Sequence, residues 1–492
     1  MLARELQISA DELIGALLRL KAAHRVQILD SGGARGEESR FLIAGCDPFE
    51  IIEARGGTAR VFRGGETTEE QLDSGGVLRL LDERLQRYGV PPETASVWPA
   101  RGACIATFSY ELAHRFERLR SRRHAHHTEA NEEPDAMLAF YDTLLIHDYV
   151  RSITAVVSVN GPARLNHVRE TINEAARELK AGRELLPAGQ QSPSQIEAAD
   201  AFSNVATSNF TRQQYLATVE RVQEHIAAGD IYQANLTQQL KVALAAKLTP
   251  EKIFLNLRRD HPASFGAFLR RREDTVVSAS PERFLRVASG AQEGERVIEA
   301  WPIKGTRPRG ASAAEDARFR AELKESEKER AENVMIVDLL RNDLGRVCRY
   351  GSVAVRELFT VQEHPTLFHL VSKVQGELRA GVTAGDILRA AFPCGSITGA
   401  PKIRAMELID ALEPQPRGLS MGAIGYFSFD GAMDLNVAIR TMVIRRGIAR
   451  FNVGGGIVAD SVPALEYEES LTKARALLRA LGVNAAATRE GL

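Results

Sequence analysis

Near its C-terminus the chain reads GAIGYFSFDGAMDLNVAIRTMVIRRGIARFNVGGGIVA, residues 422–459. Asp430-Gly431 and Arg446-Gly447 mark tight turns between apolar, β-branched stretches, so the segment reads as a strand meander. Strands joined by turns this short must run antiparallel. That excludes a doubly wound parallel sheet as the organising element.

Other segments add strands and helices to this frame. AVVSVN (155–160) reads as a strand, and NHVRETINEAARELKAG (166–182) as a helix ending at Gly182. The Ser-, Gln-, Ala- and Pro-rich stretch that follows reads as a linker or crossover over 183–210. It separates an amino-terminal region, 1–182, from a second region, 211–482, with a polar tail at 483–492. The second region opens on a helix: Thr211 and Gln214 form a capping-box pattern, Phe210 and Tyr215 a hydrophobic staple, and Gly229 a C-terminal cap. Next, DIYQANLTQQ alternates, with Gln233, Asn235 and Thr237 on one face. That face is either solvent-facing or lines a polar cavity, and alternation alone favours solvent. The tract SRRHAHHTEANEEPD (121–135) reads as a solvated loop, with nothing to hold His124, His126 and His127 around a metal.

Bulk numbers exclude several classes. Lys plus Arg total 63 against 64 Asp plus Glu, a formal net charge of −1, so nothing draws the chain to nucleic acid or an acidic membrane. Any recognition of an anion must therefore be local. No run approaches the ~18 apolar residues of a membrane span, and MLARELQISADEL lacks a signal-peptide core. Cys46, Cys104, Cys348 and Cys394 are scattered, which suits a reducing compartment; the expected location is the cytoplasm.

Three constellations could carry chemistry. Glu329 and Glu332, and again Glu466 and Glu469, are spaced i, i+3 in helix-like segments, so each pair shares a face. Like charges so placed invite a cation, and oxygen ligands alone suit Mg²⁺ completed by an anionic substrate; the alternative is two solvated helix faces. The apolar run Val334–Val337 places Glu332 at the start of a buried helix. Glycine-rich backbone supplies the second: Gly454, Gly455 and Gly456 end the last strand, and FPCGSITGAPKIRAME sets Ser396 and Thr398 before a helix starting near Pro401. Such backbone can receive a carboxylate, or can simply turn. The third is an acid and an amine. Glu282 in SASPERFL can stay protonated in a dry pocket and donate to a leaving group. Lys304 in EAWPIKGTRPRG, behind Pro302 and Ile303, can lose part of its solvation and act as a nucleophile, or can belong to a solvated basic turn. H-E-x-x-H, G-x-S-x-G, the Walker and dinucleotide glycine motifs and the glutaminase elbow G-x-C-x-G are all absent.

Taken in order, GDIYQANLTQ, SASPERFL, PIKGTRPRG, AENVMIVDLLRNDLGRV, LFHLVSKVQGEL, FPCGSITGAPKIRAMELIDALEP, GAIGYFSFDG and GGGIVADS…EYEESLTKARALL resemble the chorismate-utilising enzymes. The resemblance is dense over 213–480. ILDSGG and FLIAGCDPFEII are similar to the amino-terminal region of the family's amine-transferring members. It implies an α+β fold, two packed antiparallel sheets with surrounding helices. Lys304 and Asn235 are similar to the aminodeoxychorismate-forming branch; anthranilate synthases carry Ala at the lysine position, and the water-using branches carry Lys where this chain has Gln233. Two departures stand out: Trp301, where relatives often have Arg, and Asn333, where many have His.

By that resemblance, Mg²⁺ held by Glu332 and Glu469, backed by Glu329 and Glu466, anchors the ring carboxylate of chorismate. Arg440, Tyr426 and the Gly454–Gly456 amides meet the enolpyruvyl carboxylate, while Gln233, His369 and Thr398 line the ring pocket. Lys304 attacks C2, Glu282 protonates the departing C4 hydroxyl, and ammonia completes the exchange. Arg307 and Arg309 either raise the local positive potential or meet solvent. The ammonia implies a separate glutamine amidotransferase subunit, and tryptophan is a candidate ligand of the amino-terminal region. The alternatives are an anthranilate synthase component and a non-catalytic subunit that senses an aromatic amino acid.

Overall fold

The structure is a computed structural model that describes residues 1–33, 39–73, 75–91, 97–117, 119, 133–182, 205–290, 294–363 and 367–483. Most of the expected linker (183–204), the tail from 484 and the histidine tract 121–132 lie outside the described residues.

Two twelve-stranded sheets form the body, and the pairings among the described residues are antiparallel. Each sheet takes strands from both ends of the chain. In the first, Gln27–Asp30 pairs with Phe265–Arg270, setting Leu29 opposite Ala267. In the second, Ala103–Phe108 pairs with Ala423–Ser428, setting Ile105 opposite Tyr426.

Side-chain alternation explains the layering. Along Ala136–Tyr141, Met137, Ala139 and Tyr141 enter a core shared by the two sheets, while Ala136, Leu138 and Phe140 face helices on the outer side. A strand covered on both faces reads as a continuous apolar run. The helices Ala10–Arg19, Gly161–Lys180 and Pro463–Ala480 cover the outer face of the first sheet. Gly76–Tyr88, Glu327–Gly345 and Ala384–Ala391 cover that of the second.

The helix Arg212–Ala227 carries the expected capping box between Thr211 and Gln214. Phe210 and Tyr215 meet edge to face at 5.8 Å, and Gly229 has φ +79° just past the helix end. The meander differs from its sequence reading. Ala423–Ser428 and Met433–Val437 form a hairpin in the second sheet, whereas Thr441–Arg445 and Ile448–Ile457 form one in the first. The chain changes sheets at Ala438–Arg440, and Arg440 holds φ +48° to make the crossing. Turn signals locate the two hairpins but carry no information on the switch between them.

Candidate functional site

Lys304 lies on the strand Ile303–Pro308, opposite Leu370 of Leu367–Glu377. The register slips between Lys304 and Thr306, where Gly305 takes φ +80°. A Cβ at Gly305 would stand 2.7 Å from Leu323 Cδ1 and 3.0 Å from the Glu329 carboxyl, so only glycine fits this bulge. The bulge aims the Lys304 amine inward: Nζ is 4.0 Å from Glu332 Oε2, and each side chain is only 14% exposed.

Glu282 sits between the strands Thr275–Ser280 and Arg283–Ser289, its amide on Ser280 Oγ and its carbonyl accepting from Val437 N–H. Its carboxyl is buried. Burial pushes it up to about 7, against the pull of the Lys304 charge and of hydrogen bonds from the Ser396 hydroxyl and the Ile303 amide. Oε1 has no hydrogen-bond partner among the described residues. A carboxyl that holds its proton near neutrality, beside an amine, has the chemistry to give up a proton next to a group able to act as a nucleophile.

Two helix starts bring in the other carboxylates. Ser326 caps Glu327–Gly345 by accepting from the Glu329 amide, and Pro463 opens Pro463–Ala480. Glu329 and Glu466 fall in the first turns, where the helix dipole favours them, and Glu332 and Glu469 follow about one turn later. Glu329 pairs with Arg307 at 3.5 Å, Glu469 with Lys473 at 2.8 Å, and buried Glu466 accepts from Ser461 at 2.7 Å. Glu466 Oε2 and Glu469 Oε1 lie 3.3 and 3.8 Å from the place a Gly455 Cβ would occupy. Burial pushes Glu332 up; Lys304 and Lys328 oppose this, while Glu329 and Glu469 add to it. For Glu469 burial acts the same way, but Lys473, Lys328 and Lys304 outweigh it and hold its carboxyl low. Among the described residues no three His, Cys, Asp or Glu side chains gather as a ready metal cage. Mg²⁺ characteristically uses one or two carboxylates plus an anionic substrate, so this all-oxygen, like-charged donor set fits it. The expected apolar run is only half right: Ile336 and Val337 are buried, whereas Val334 is 41% exposed.

The strand Gln233–Ala243 turns its polar face inward, contrary to the solvent reading that alternation favoured: Gln233, Asn235 and Thr237 are all buried. Thr237 gives its amide and hydroxyl to Glu413, which forms a buried pair with Arg417. Both polar atoms of the Gln233 amide lack a partner among the described residues, and Nε2 occupies the space over Gly456. Asn235 and Thr237 send their amides to Thr398 O and Glu413, so their register partners Gly456 and Gly454 are non-hydrogen-bonded positions. The N–H groups of Gly454 and Gly456 therefore point to the opposite edge, past the Val443–Arg450 pair where the neighbouring strand ends.

The remaining candidates divide. His369 lies opposite Thr306, its Nδ1 3.0 Å from the threonine hydroxyl, beside the Lys304 bulge. Thr398 is buried and donates its hydroxyl to Cys394 O and Gly395 O, so only its oxygen lone pairs remain for a ligand. Arg440 carries a largely buried guanidinium with no carboxylate partner among the described residues; burial alone pulls its pKa down. Tyr426 is not brought to this group. It lines a separate cavity of about 230 Å³ with Asp30, Ser31, Arg40, Arg283 and Asp434, and its hydroxyl reaches Pro99 O. Alternation assigns Tyr426 a sheet face but not which of two pockets that face meets. Arg307 and Arg309 spend their charge on Glu329 and Asp316. Ser396 as partner of Glu282, and Ser461 as partner of Glu466, had no signal in spacing. Lys473, four residues after Glu469 and 2.9 Å from Gly454 O, was legible as a helical i, i+4 pair.

Comparison with known proteins gives the family context. A profile described as chorismate binding enzyme matches residues 35–479. The chain is 38% identical over 455 residues to aminodeoxychorismate synthase component 1 of Klebsiella aerogenes, covering 92% of this chain and 93% of that protein. It is 36% identical over 457 residues to anthranilate synthase component 1 of Synechocystis sp., covering 90% and 88%. Among solved structures, anthranilate synthase component I from Streptococcus pneumoniae superposes with a TM-score of 0.70 at 29% identity, over 96% of this chain and 99% of that one. The menaquinone-specific isochorismate synthase of Escherichia coli shares the fold, with a TM-score of 0.67 at 14% identity over 98% and 94%.

Proposed function

This chain belongs to the family of chorismate binding enzymes, and on that premise we propose that it is the chorismate-converting component of an aminodeoxychorismate synthase. One observation carries the reading: the Lys304 amine stands 4.0 Å from the Glu332 carboxylate and is coupled to the buried acid Glu282. A fixed amine beside an acid poised near neutrality suits covalent exchange at an allylic carbon.

Glu332 and Glu469, with Glu329 and Glu466 behind them, would hold Mg²⁺, which when bound neutralises the ring carboxylate of chorismate. Arg440 and the Gly454 and Gly456 amides receive the enolpyruvyl carboxylate. Lys304 Nζ, as free amine, bonds to C2; the ring double bonds shift, the C4–O bond breaks, and Glu282 gives its proton to the departing hydroxyl, which leaves as water. Ammonia then bonds to C4, the double bonds shift back, and the C2–N bond breaks to release Lys304. The extra proton on the new amine returns to Glu282. The product is 4-amino-4-deoxychorismate, with C4 configuration retained because the group is exchanged in two displacements.

Ammonia would come from a separate glutamine amidotransferase, since the sequence holds no glutaminase elbow and the similar proteins are named as a component 1. The cavity lined by Asp30, Arg40 and Asp434 offers both charges to an amino-acid ligand such as tryptophan. Four buried, unpaired cysteines are in keeping with a cytoplasmic enzyme. The test is Lys304→Ala with chorismate, Mg²⁺ and ammonium, products read by mass spectrometry. The wild type should form 4-amino-4-deoxychorismate and the variant should lose most of it. Unchanged turnover in the variant removes the covalent step; anthranilate and pyruvate from the wild type would make this an anthranilate synthase.

A further inference from the structure

Trp301 and Asn333 have no part in the chemistry above, yet they meet through one strand. Trp301 immediately precedes the Pro302-Ile303-Lys304 segment and is 6% exposed. The Arg283 guanidinium lies 4.5 Å and the Lys373 ammonium 4.2 Å from the centre of its ring. Asn333 follows Glu332 on the helix Glu327–Gly345 and is fully buried. Its Oδ1 accepts from the Ser372 hydroxyl at 2.6 Å. Ser372 is fully buried too, and its amide donates to Pro302 O at 3.2 Å.

Ser372 and Lys373 are consecutive in the strand Leu367–Glu377, so their side chains leave opposite faces. Ser372 therefore grips the helix that carries Glu332, and its backbone grips the residue two before Lys304. Lys373 closes on Trp301 from the other face. The distance between amine and carboxylate is thus spanned by one short, dry bridge: Lys304, Pro302, Ser372, Asn333, Glu332.

We propose that Trp301 and Asn333 are positioning residues which, through Lys373 and Ser372, set the Lys304 amine against the Glu332 carboxylate. This rests on the roles proposed for Lys304 and Glu332. The two cations held against the ring fix the indole, and the indole fixes the start of the lysine segment. A shift of about 1 Å in a reacting group can cost on the order of 100-fold in rate without touching binding.

The experiment measures kcat and KM for chorismate, with ammonium and Mg²⁺, in the full chain. Trp301→Leu should lower kcat about 10- to 100-fold and leave KM within about threefold, and Trp301→Phe, which keeps a ring for both cations, should recover to within about threefold of wild type. Asn333→Ala and Ser372→Ala should each lower kcat about tenfold, because each removes the bond they share; Ser372→Ala also leaves the Phe359 amide without the hydroxyl oxygen it reaches at 3.2 Å, so the double variant should fall no further than Ser372→Ala alone. Wild-type kcat in Trp301→Leu, or a Phe variant as poor as Leu, overturns the proposal. If Trp301→Leu does not fold, as read by its thermal midpoint, the Asn333 and Ser372 cycle decides, and multiplicative losses there overturn it. Full activity in Lys304→Ala would instead sink the underlying reading, whatever the Trp301 variants do.

Discussion

Glu282→Gln separates stability from catalysis. The Glu282 carboxyl ordinarily ionises near 4.5 and is pushed up to about 7 by burial, so the folded chain holds a proton that the unfolded chain has released. Its contribution to stability is fully present below about pH 4.5 and is lost as the pH rises to about 7. The raised value spans roughly 2.5 pH units, and at 1.36 kcal/mol each the buried charge costs about 3 kcal/mol above pH 7. Gln fills the same volume, can accept from Ser396 and Ile303, and never ionises. Urea unfolding at pH 5 and pH 8 should therefore show the variant close to wild type at the lower pH and more stable by about 3 kcal/mol at the higher. Turnover with ammonium should fall roughly 100-fold or more, because an amide cannot deliver the proton. Wild-type turnover should itself decline about tenfold per pH unit above 7 as the acid form disappears. A stability difference that does not change between the two pH values would refute the argument that burial keeps this acid protonated.

Three further outcomes are expected. Glu332→Gln should raise the Mg²⁺ concentration for half-maximal turnover roughly tenfold or more and weaken chorismate binding with it, as a titration of rate against Mg²⁺ would show. Gly454→Ala sets a Cβ 1.9 Å from the Leu236 carbonyl oxygen, a backbone atom that cannot step aside, so the urea midpoint should drop by the equivalent of about 1–3 kcal/mol or more. Arg440→Met should raise the KM for chorismate at least about tenfold. Stability should be unchanged or higher, since a buried guanidinium without a carboxylate partner among the described residues is removed; calorimetry reads the second effect.

What could be read in the sequence was local. The capping box at Thr211, the i, i+3 glutamates and the close-packed glycines each depend on neighbours a few positions away, and each lies where the spacing put it. The inward face of Gln233–Thr237 was not legible in alternation, which favoured solvent; only the family resemblance, which set Gln233 in the ring pocket, turned it inward. Its burial depends on Glu413 and Arg417, some 180 residues distant, which satisfy groups that alternation assigns to water. Tyr426 shows the same limit. Its strand parity was readable, but the pocket beyond it is built from Asp30 and Arg40 at the other end of the chain. The Ser396 contact to Glu282 joins two loops that come together only once both sheets have formed.

The two seams, Leu29 against Ala267 and Ile105 against Tyr426, have a bearing on how such a chain can change. Because the amino-terminal residues supply interior strands to both layers, grafting that portion from a cousin would have to match two registers at once. A one-residue slip in either would turn a whole row of side chains inside out. New substrate preferences in this architecture should therefore arise by replacing single residues in place rather than by shuffling modules.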